Sequence, residues 1–208
     1  VEAVPLSIRA EVLKYARLTA VHGLVPNTQG NVSARDPQTG LIAITPHDHP
    51  YEQMTADDLV IIDAEGRQVG GALEPSYETA VHVAVYQARP DIHAIVHTEP
   101  VYTNMFGVLG RAIEPVVVSM LVNLGGAVPV MPFMPSGSTA FGRAMVAIMN
   151  PGYGVIWANH GLLTAGRTVE EAFRRTVIVE NTAQIYHLAL LHGQPTVLRR
   201  EQLAGGVA

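Results

Sequence analysis

Apolar residues recur at helical spacing over 7–22, where Ile8, Val12, Ala16 and Ala20 form one stripe, Ser7 stands at a capping position and Gly23 at a stop. The pattern then changes. Short apolar runs at 41–45 (LIAIT) and 59–63 (LVIID) read as strands, the second closed by the turn AEGR. Residues 75–90 return to helical spacing, with Pro75 near the start and Pro90 past the end. The strand IHAIVH (92–97) follows at once. Residues 113–135 are strand-like, low in charge and broken by Pro and Gly, then 138–149 read as a helix and 154–161 (GVIWANHG) as another strand. A long helix over 168–192 opens on Thr168 and Glu171, spaced as a capping box. There is no repeat, no low-complexity segment and no internal linker. Strands and helices interleave without a regular βαβ beat, so the pattern predicts a mixed sheet flanked by helices, in a single domain over 1–208.

Strong polar ligands stand where these elements end. Strand alternation puts His97 and Glu99 on one side of the chain as it leaves 92–97. His160 follows another apolar strand and precedes Gly161, which permits a tight turn. Glu78 lies in the first turn of the helix from Pro75, with His82 one turn later on the same face, placed to orient rather than to ligate. Two imidazoles and a carboxylate, His97, His160 and Glu99, form a set suited to Zn, Mn, Fe or Co with open positions for substrate. Glu78 would then move a proton or supply a fourth ligand.

Composition narrows the chemistry. The 208 residues include nine histidines and no cysteine, which removes disulfides, thiolate sites and cysteine nucleophiles. Lys14 is the single lysine and lies in the first helix, so a Schiff-base mechanism has almost no candidate. A formal charge of -5 argues against nucleic acid as a partner. No apolar run approaches the length of a membrane span, and a soluble, cytoplasmic protein acting on a small molecule is the expectation.

The stretches GNVSAR (30–35), ITPHDHPYE (44–52), EPSYE (74–78), VYQARPDIHAIVHTE (85–99) and ANHG (158–161), with VENTAQIYHL in the last helix, resemble the class II aldolase/adducin family in its own order. The resemblance implies an α/β fold of three layers, α/β/α, around a central mixed, largely antiparallel sheet. It also implies a divalent metal and a homotetramer with active sites at subunit interfaces. Carried over by residue, His97 and His160 fall on metal-ligand positions and Glu78 on a catalytic acid/base or displaced ligand. Asn31 and Ser76 fall on substrate-contacting positions.

The departures from that pattern shape the functional expectation. Glu99 replaces a ligand histidine, which shifts the preference from Zn towards Mn, Fe or Co. His47 and Asp48 stand where a hydroxyl and a glycine would serve a phosphate, and Tyr77 replaces a second hydroxyl. Asp48 would repel a phosphate dianion. Ser119 falls about where the family places a catalytic tyrosine. A metal ion with open positions can hold the enolate left when a C–C bond breaks. The expected activity is therefore metal-dependent lyase chemistry, decarboxylation of a small non-phosphorylated hydroxylated acid, aromatic acids included. There, His47 or Glu78 delivers the proton, Tyr77 shapes the pocket, and Asp48 and Ser119 contact the substrate. Aldol cleavage of a hydroxy-ketone, hydroxy-keto acid or sugar phosphate is the alternative. Further readings are a non-haem iron oxygenase and a non-catalytic adducin-like binding module.

Overall fold

The computed structural model describes residues 4–204. Among these, fifteen elements run in the order α1 (Leu6–Val21), β1 (Asn31–Arg35), β2 (Ile42–Ile44), β3 (Val60–Ile62), β4 (Gln68–Gly70), α2 (Thr79–Ala88), β5 (Ala94–Thr98), α3 (Val101–Val108), α4 (Val118–Leu124), β6 (Val130–Met131), α5 (Thr139–Met149), β7 (Gly154–Trp157), β8 (Gly161–Gly166), α6 (Val169–His192) and α7 (Glu201–Ala204). The strands form one sheet in the order β4-β3-β2-β1-β5-β8-β7-β6. Every neighbouring pair is antiparallel except β6 with β7.

Two helical layers cover the sheet, because its central strands are apolar on both faces. On one face α2 and α5 bury Val81, Val85, Phe141 and Met145 against Ile44, Ile95 and Leu163. On the other, Val12 and Ala16 of α1 and Ala172 of α6 pack on Val32, Ala34 and Val96. Phe106 of α3 and Met120 of α4 meet Val179 and Ala183 of α6 over Ile156 and Leu162. This is the three-layer α/β/α arrangement with a mixed, largely antiparallel sheet. Thr168 caps α6, its Oγ1 accepting from the Glu171 N–H at 3.1 Å. Ser138 caps α5 in the same way, through Phe141 N–H.

The pattern reading does not include β1, β4, α3, β8 or α7, and three segments that it does assign come out differently. The helix expected from Pro75 begins only at Thr79, because residues 74–76 pair with the end of β2. His47 N–H donates to Glu74 O, Ser76 N–H to Thr45 O, and Pro46 faces Pro75 in an isolated bridge. The strand-like 113–135 segment instead forms helix α4, stopped by Gly125 at φ 86°, and contributes only the two-residue strand β6. Met120, Leu121 and Leu124 bury one face of that helix. A period of two and a short buried helix cannot be told apart in so continuous an apolar run. The strand expected over 154–161 is divided at Trp157, and His160 lies in the turn of the β7–β8 hairpin. Among the described residues, no helix is long and apolar enough to cross a membrane.

Candidate metal centre and active site

The site lies where β1, β5 and the β7–β8 turn meet the N-terminus of α2. Antiparallel register sets Asn31 directly opposite His97. Alternation sends Ala94 and Val96 to the α1–α6 side and Ile95 to the α2–α5 side, and His97 follows Ile95. The His97 ring stacks on Trp157, with centroids 4.3 Å apart and planes 17° from parallel. Its Nδ1–H donates to Leu162 O at 3.0 Å, which leaves the Nε2 lone pair free. His160 is carried into place by a left-handed residue, Asn159 at φ 59°, and its N–H donates to Trp157 O at 3.0 Å.

Glu78 closes the group. As the residue that precedes α2, it reaches Nε2 of His97 with Oε2 and Nε2 of His160 with Oε1, each at 3.3 Å. One donor atom from each of Glu78, His97 and His160 lies within 4.8 Å of the others, so the three could hold a metal ion. Glu99 Oε1 stands beside them, 3.8 Å from His160 Nε2. Two imidazoles and one carboxylate thus surround one point, with a second carboxylate alongside, a composition that fits a divalent cation with room for exogenous ligands.

Electrostatics separates the two carboxylates. Burial pushes Glu78 up, but His97, the Asn31 hydrogen bond and His160 outweigh it and hold the carboxyl below its usual range. Burial holds Glu99 above that range; His97 opposes the rise and the Glu78 charge adds to it. Burial, with His97 nearby, lowers His160, so its ring is neutral and ready to ligate at pH 7. His82, fully buried, is pushed down to about 3 by desolvation.

Glycine is required where the hairpin passes β5. A Cβ on Gly161 would lie 2.5 Å from Thr98 O and 2.8 Å from His97 Cε1. Backbone cannot yield as a side-chain tip can. We therefore expect Gly161→Ala to lose about 1–3 kcal/mol of stability, the cost of overpacking a filled site. Its metal content after dialysis should fall as well, read by thermal unfolding and elemental analysis of the same preparation. A variant with unchanged Tm and metal would show that the turn tolerates the methyl.

The group opens into a cavity of about 280 Å³. Thr28, Gln29, Gly30, Asn31, Pro46, His47, Asp48, Ser76, Tyr77, Glu78, His97, Glu99, Ser136 and His160 line it. Nine of the ten residues singled out in the sequence as catalytic, substrate-contacting or metal-ligating are there. The exception is Ser119, which is exposed on α4 and outside this lining. Asp48 is also exposed, in a left-handed turn at φ 47°, and accepts from Thr28 Oγ1 at 2.8 Å. Tyr77 is largely exposed at the rim, its ring against Gly137. Among the described residues, no lysine or arginine lines the cavity. A larger cavity, about 380 Å³, between 122–129 and 148–154 has no histidine or carboxylate in its lining.

Several contributors escape the pattern reading. Ser136 lines the pocket from the loop before α5, where it reads as part of a capping turn. Trp157 and Ser33 are buried beneath the site and look like core in the sequence. For Ser33 the available signal is alternation: Asn31, Ser33 and Arg35 are polar and alternate with the apolar Val32 and Ala34.

The class II aldolase and adducin N-terminal domain family matches residues 10–187. This chain belongs to that family. It is 30% identical over 195 residues to 5-deoxy-D-ribulose 1-phosphate aldolase of Bacillus thuringiensis serovar kurstaki, covering 94% of this chain and 91% of the relative. It is 34% identical over 184 residues to L-fuculose phosphate aldolase of Escherichia coli strain K12, covering 88% and 84%. A solved structure of L-fuculose 1-phosphate aldolase superposes with a TM-score of 0.92 at 30% identity, covering 97% of this chain and 94% of that one. The protein is thus an enzyme of the class II aldolase superfamily, and its three-layer fold is the fold of the superposed aldolase.

Proposed function

We propose that the protein is a metal-dependent aldolase that cleaves a small, non-phosphorylated hydroxy-ketone. The observation that carries the reading is Glu78 placed 3.3 Å from the Nε2 atoms of both His97 and His160, at the inner end of a polar cavity. Family membership supports aldol cleavage over the decarboxylation expected from the sequence, since aldolases are among its relatives over nearly the whole chain. His97 and His160 would hold the ion, with Glu78 and the neighbouring Glu99 as the carboxylates available to complete the set. The Glu99 oxygen favours Mn, Fe or Co over Zn.

A divalent cation bound there supplies Lewis acidity towards a carbonyl and its neighbouring hydroxyl. Glu78, held below its usual carboxylate range, accepts the proton of the hydroxyl on the far side of the scissile bond. That oxygen forms the aldehyde carbonyl as the C–C bond breaks, and the electron pair stays with the ketone fragment. A proton returned to that carbon completes the cleavage, so no oxidant or reductant is consumed. His47 and Tyr77, at the rim, are placed to contact the far end of the substrate.

The sugar-phosphate relatives act on phosphate esters by name. Here the cavity presents Asp48 and, among the described residues, no lysine or arginine, an arrangement hostile to a dianion. We therefore assign a neutral, hydroxylated terminus to that end. Exposed apolar side chains on α6 and on the two helices packed against it, Val101 and Val108 of α3, Val118 and Val122 of α4, and Ile185 and Leu188 of α6, support self-association, which we assign to the homotetramer that the family resemblance implies. Ser119 lies on α4 beside them and would meet substrate only across a subunit boundary.

The test is to incubate the Mn- or Co-loaded protein with paired hydroxy-ketones, with and without a terminal phosphate, and separately with hydroxylated carboxylic acids, and to follow aldehyde and CO2 together. We expect aldehyde without CO2, and kcat/KM at least about 10-fold higher for the non-phosphorylated member of each pair, about 1.4 kcal/mol of discrimination. Release of CO2 from a hydroxylated acid would restore decarboxylation. A strong preference for the phosphate ester would remove the substrate assignment and leave the aldolase in place.

A further inference from the structure

Strand β1 and helix α2 lie side by side beneath the site, and their polar residues interdigitate. Residues two apart on a strand are separated by about 6.6 Å. Residues four apart on a helix rise about 6 Å. Asn31 and Ser33 therefore keep step with Glu78, His82 and Tyr86. Asn31 sits between Glu78 and His82, its Nδ2 to Glu78 Oε2 at 2.9 Å and its Oδ1 to His82 Nε2 at 2.6 Å. Ser33 sits between His82 and Tyr86, its Oγ 2.7 Å from His82 Nδ1 and 2.7 Å from Tyr86 Oη. All are buried, Ser33 and His82 completely.

Only one placement of protons satisfies this row. Glu78 Oε2 accepts from the Asn31 amide nitrogen, so the Asn31 oxygen faces His82. That oxygen also only accepts, so the His82 ring carries its proton on Nε2. Burial keeps the ring neutral, so Nδ1 accepts from the Ser33 hydroxyl. The Ser33 proton is then committed, and Tyr86 donates to Ser33. Beyond Tyr86 the row ends on Arg35, whose guanidinium lies 5.2 Å from the ring centroid and donates to Tyr86 O at 3.0 Å. Every bond points the same way along the row up to His82, and His82 and Asn31 pass that order on to Glu78.

We propose that the buried row Tyr86–Ser33–His82–Asn31 is a positioning device that ties Glu78 through Oε2 and leaves Oε1 as the oxygen that moves the proton. The proposal rests on the reading of Glu78 as proton carrier. It also recasts Asn31, whose amide is engaged on both sides, as a residue that acts through Glu78. None of Tyr86, Ser33 and His82 lines the cavity, so these three are positioning residues.

Two measurements on the intact metal-loaded protein test it. In 15N-histidine NMR, with the His82→Gln variant used to assign the signal, His82 should be neutral with its proton on Nε2. A proton on Nδ1, or a cationic ring at pH 7, would overturn the row. In the kinetic arm, Ser33→Ala should lower kcat about 10- to 100-fold, the range for groups that orient a metal-site residue. KM and metal per chain should stay as in wild type. Tyr86→Phe, which removes only the last donor and is the milder change for folding, should lower kcat less, and Ser33→Thr, which keeps the hydroxyl, should restore most of it. Wild-type kcat in Ser33→Ala, or an equal loss in Ser33→Thr, would reduce the row to core filling. A wild-type protein that releases no aldehyde from any hydroxy-ketone would instead overturn the reaction, and with it the proton role of Glu78. An Nδ1–H His82 in an active enzyme would overturn the row alone.

Discussion

His160→Ala should leave a folded chain that retains no stoichiometric divalent metal after dialysis and releases aldehyde at least about 1,000-fold more slowly, the several kcal/mol that a Lewis acid contributes. The ring lies in a hairpin turn, partly open to the cavity, and packs against the edges of His97 and Trp157. Its removal creates no deep void, so Tm of the metal-free protein should change little. The effect instead falls on the ligand set. Without His160, one imidazole and two carboxylates remain, and one of those carboxylates must also move the proton. Elemental analysis beside the aldehyde assay is the check, and full activity in the variant would sink the metal assignment. A parallel Glu99→His variant should keep its metal and shift preference towards Zn, because an imidazole is softer than a carboxylate and carries no charge. An unchanged preference would remove Glu99 from the ligand set.

Glu78→Gln carries the second large effect. The amide fills the same volume and can still accept from Asn31, but it cannot take a proton. We expect kcat to fall about 100- to 10,000-fold, the usual contribution of a positioned acid/base group. Metal should remain, held by His97, His160 and Glu99, and its retention separates this variant from His160→Ala. The same substitution has a pH signature in the metal-free protein. His97, Asn31 and His160 hold the folded-state carboxyl below its ordinary value despite burial. Ionised Glu78 thus contributes stability above the unfolded pKa of about 4.3, which is lost as pH falls through the lower folded value. Chemical denaturation of wild type and variant at a series of pH values should show that acid-side loss only in wild type. Equal acid profiles would mean that Glu78 is not held as an ion. Equal kcat values would remove it from the reaction.

The alternation around His97 and Glu99, the helix at 7–22, the capped helix at 168–192 and the low-charge composition are local properties, and all were legible in the chain. The residue types that could ligate a cation were legible too; a single histidine at a strand end is more often a hydrogen-bonded structural residue, and it was the family resemblance that set His97 and His160 apart. Periodicity failed where the apolar run was continuous. Residues 113–135 became a helix and a two-residue strand, since Gly125 stops the helix and its packing on α6 decides the conformation. It also failed at 154–161, where the chain turns back after Trp157 and puts His160 in a turn instead of a strand.

The sequence by itself determined the long helices at the two ends of the chain, several of the apolar strands, the donor inventory and the family resemblance. Only the tertiary structure decided how far apart the donors stand. Glu78, His97 and His160 are separated by up to 82 residues in the chain, and they meet because the β1–β5 register, the late start of α2 and the β7–β8 turn bring them to one point. The tertiary structure alone also made Asn31 a partner of Glu78 and His82, because a strand repeat of two and a helix repeat of four coincide only when β1 and α2 lie side by side. A one-dimensional pattern records each period separately. Their coincidence is a property of packing, and so is the site.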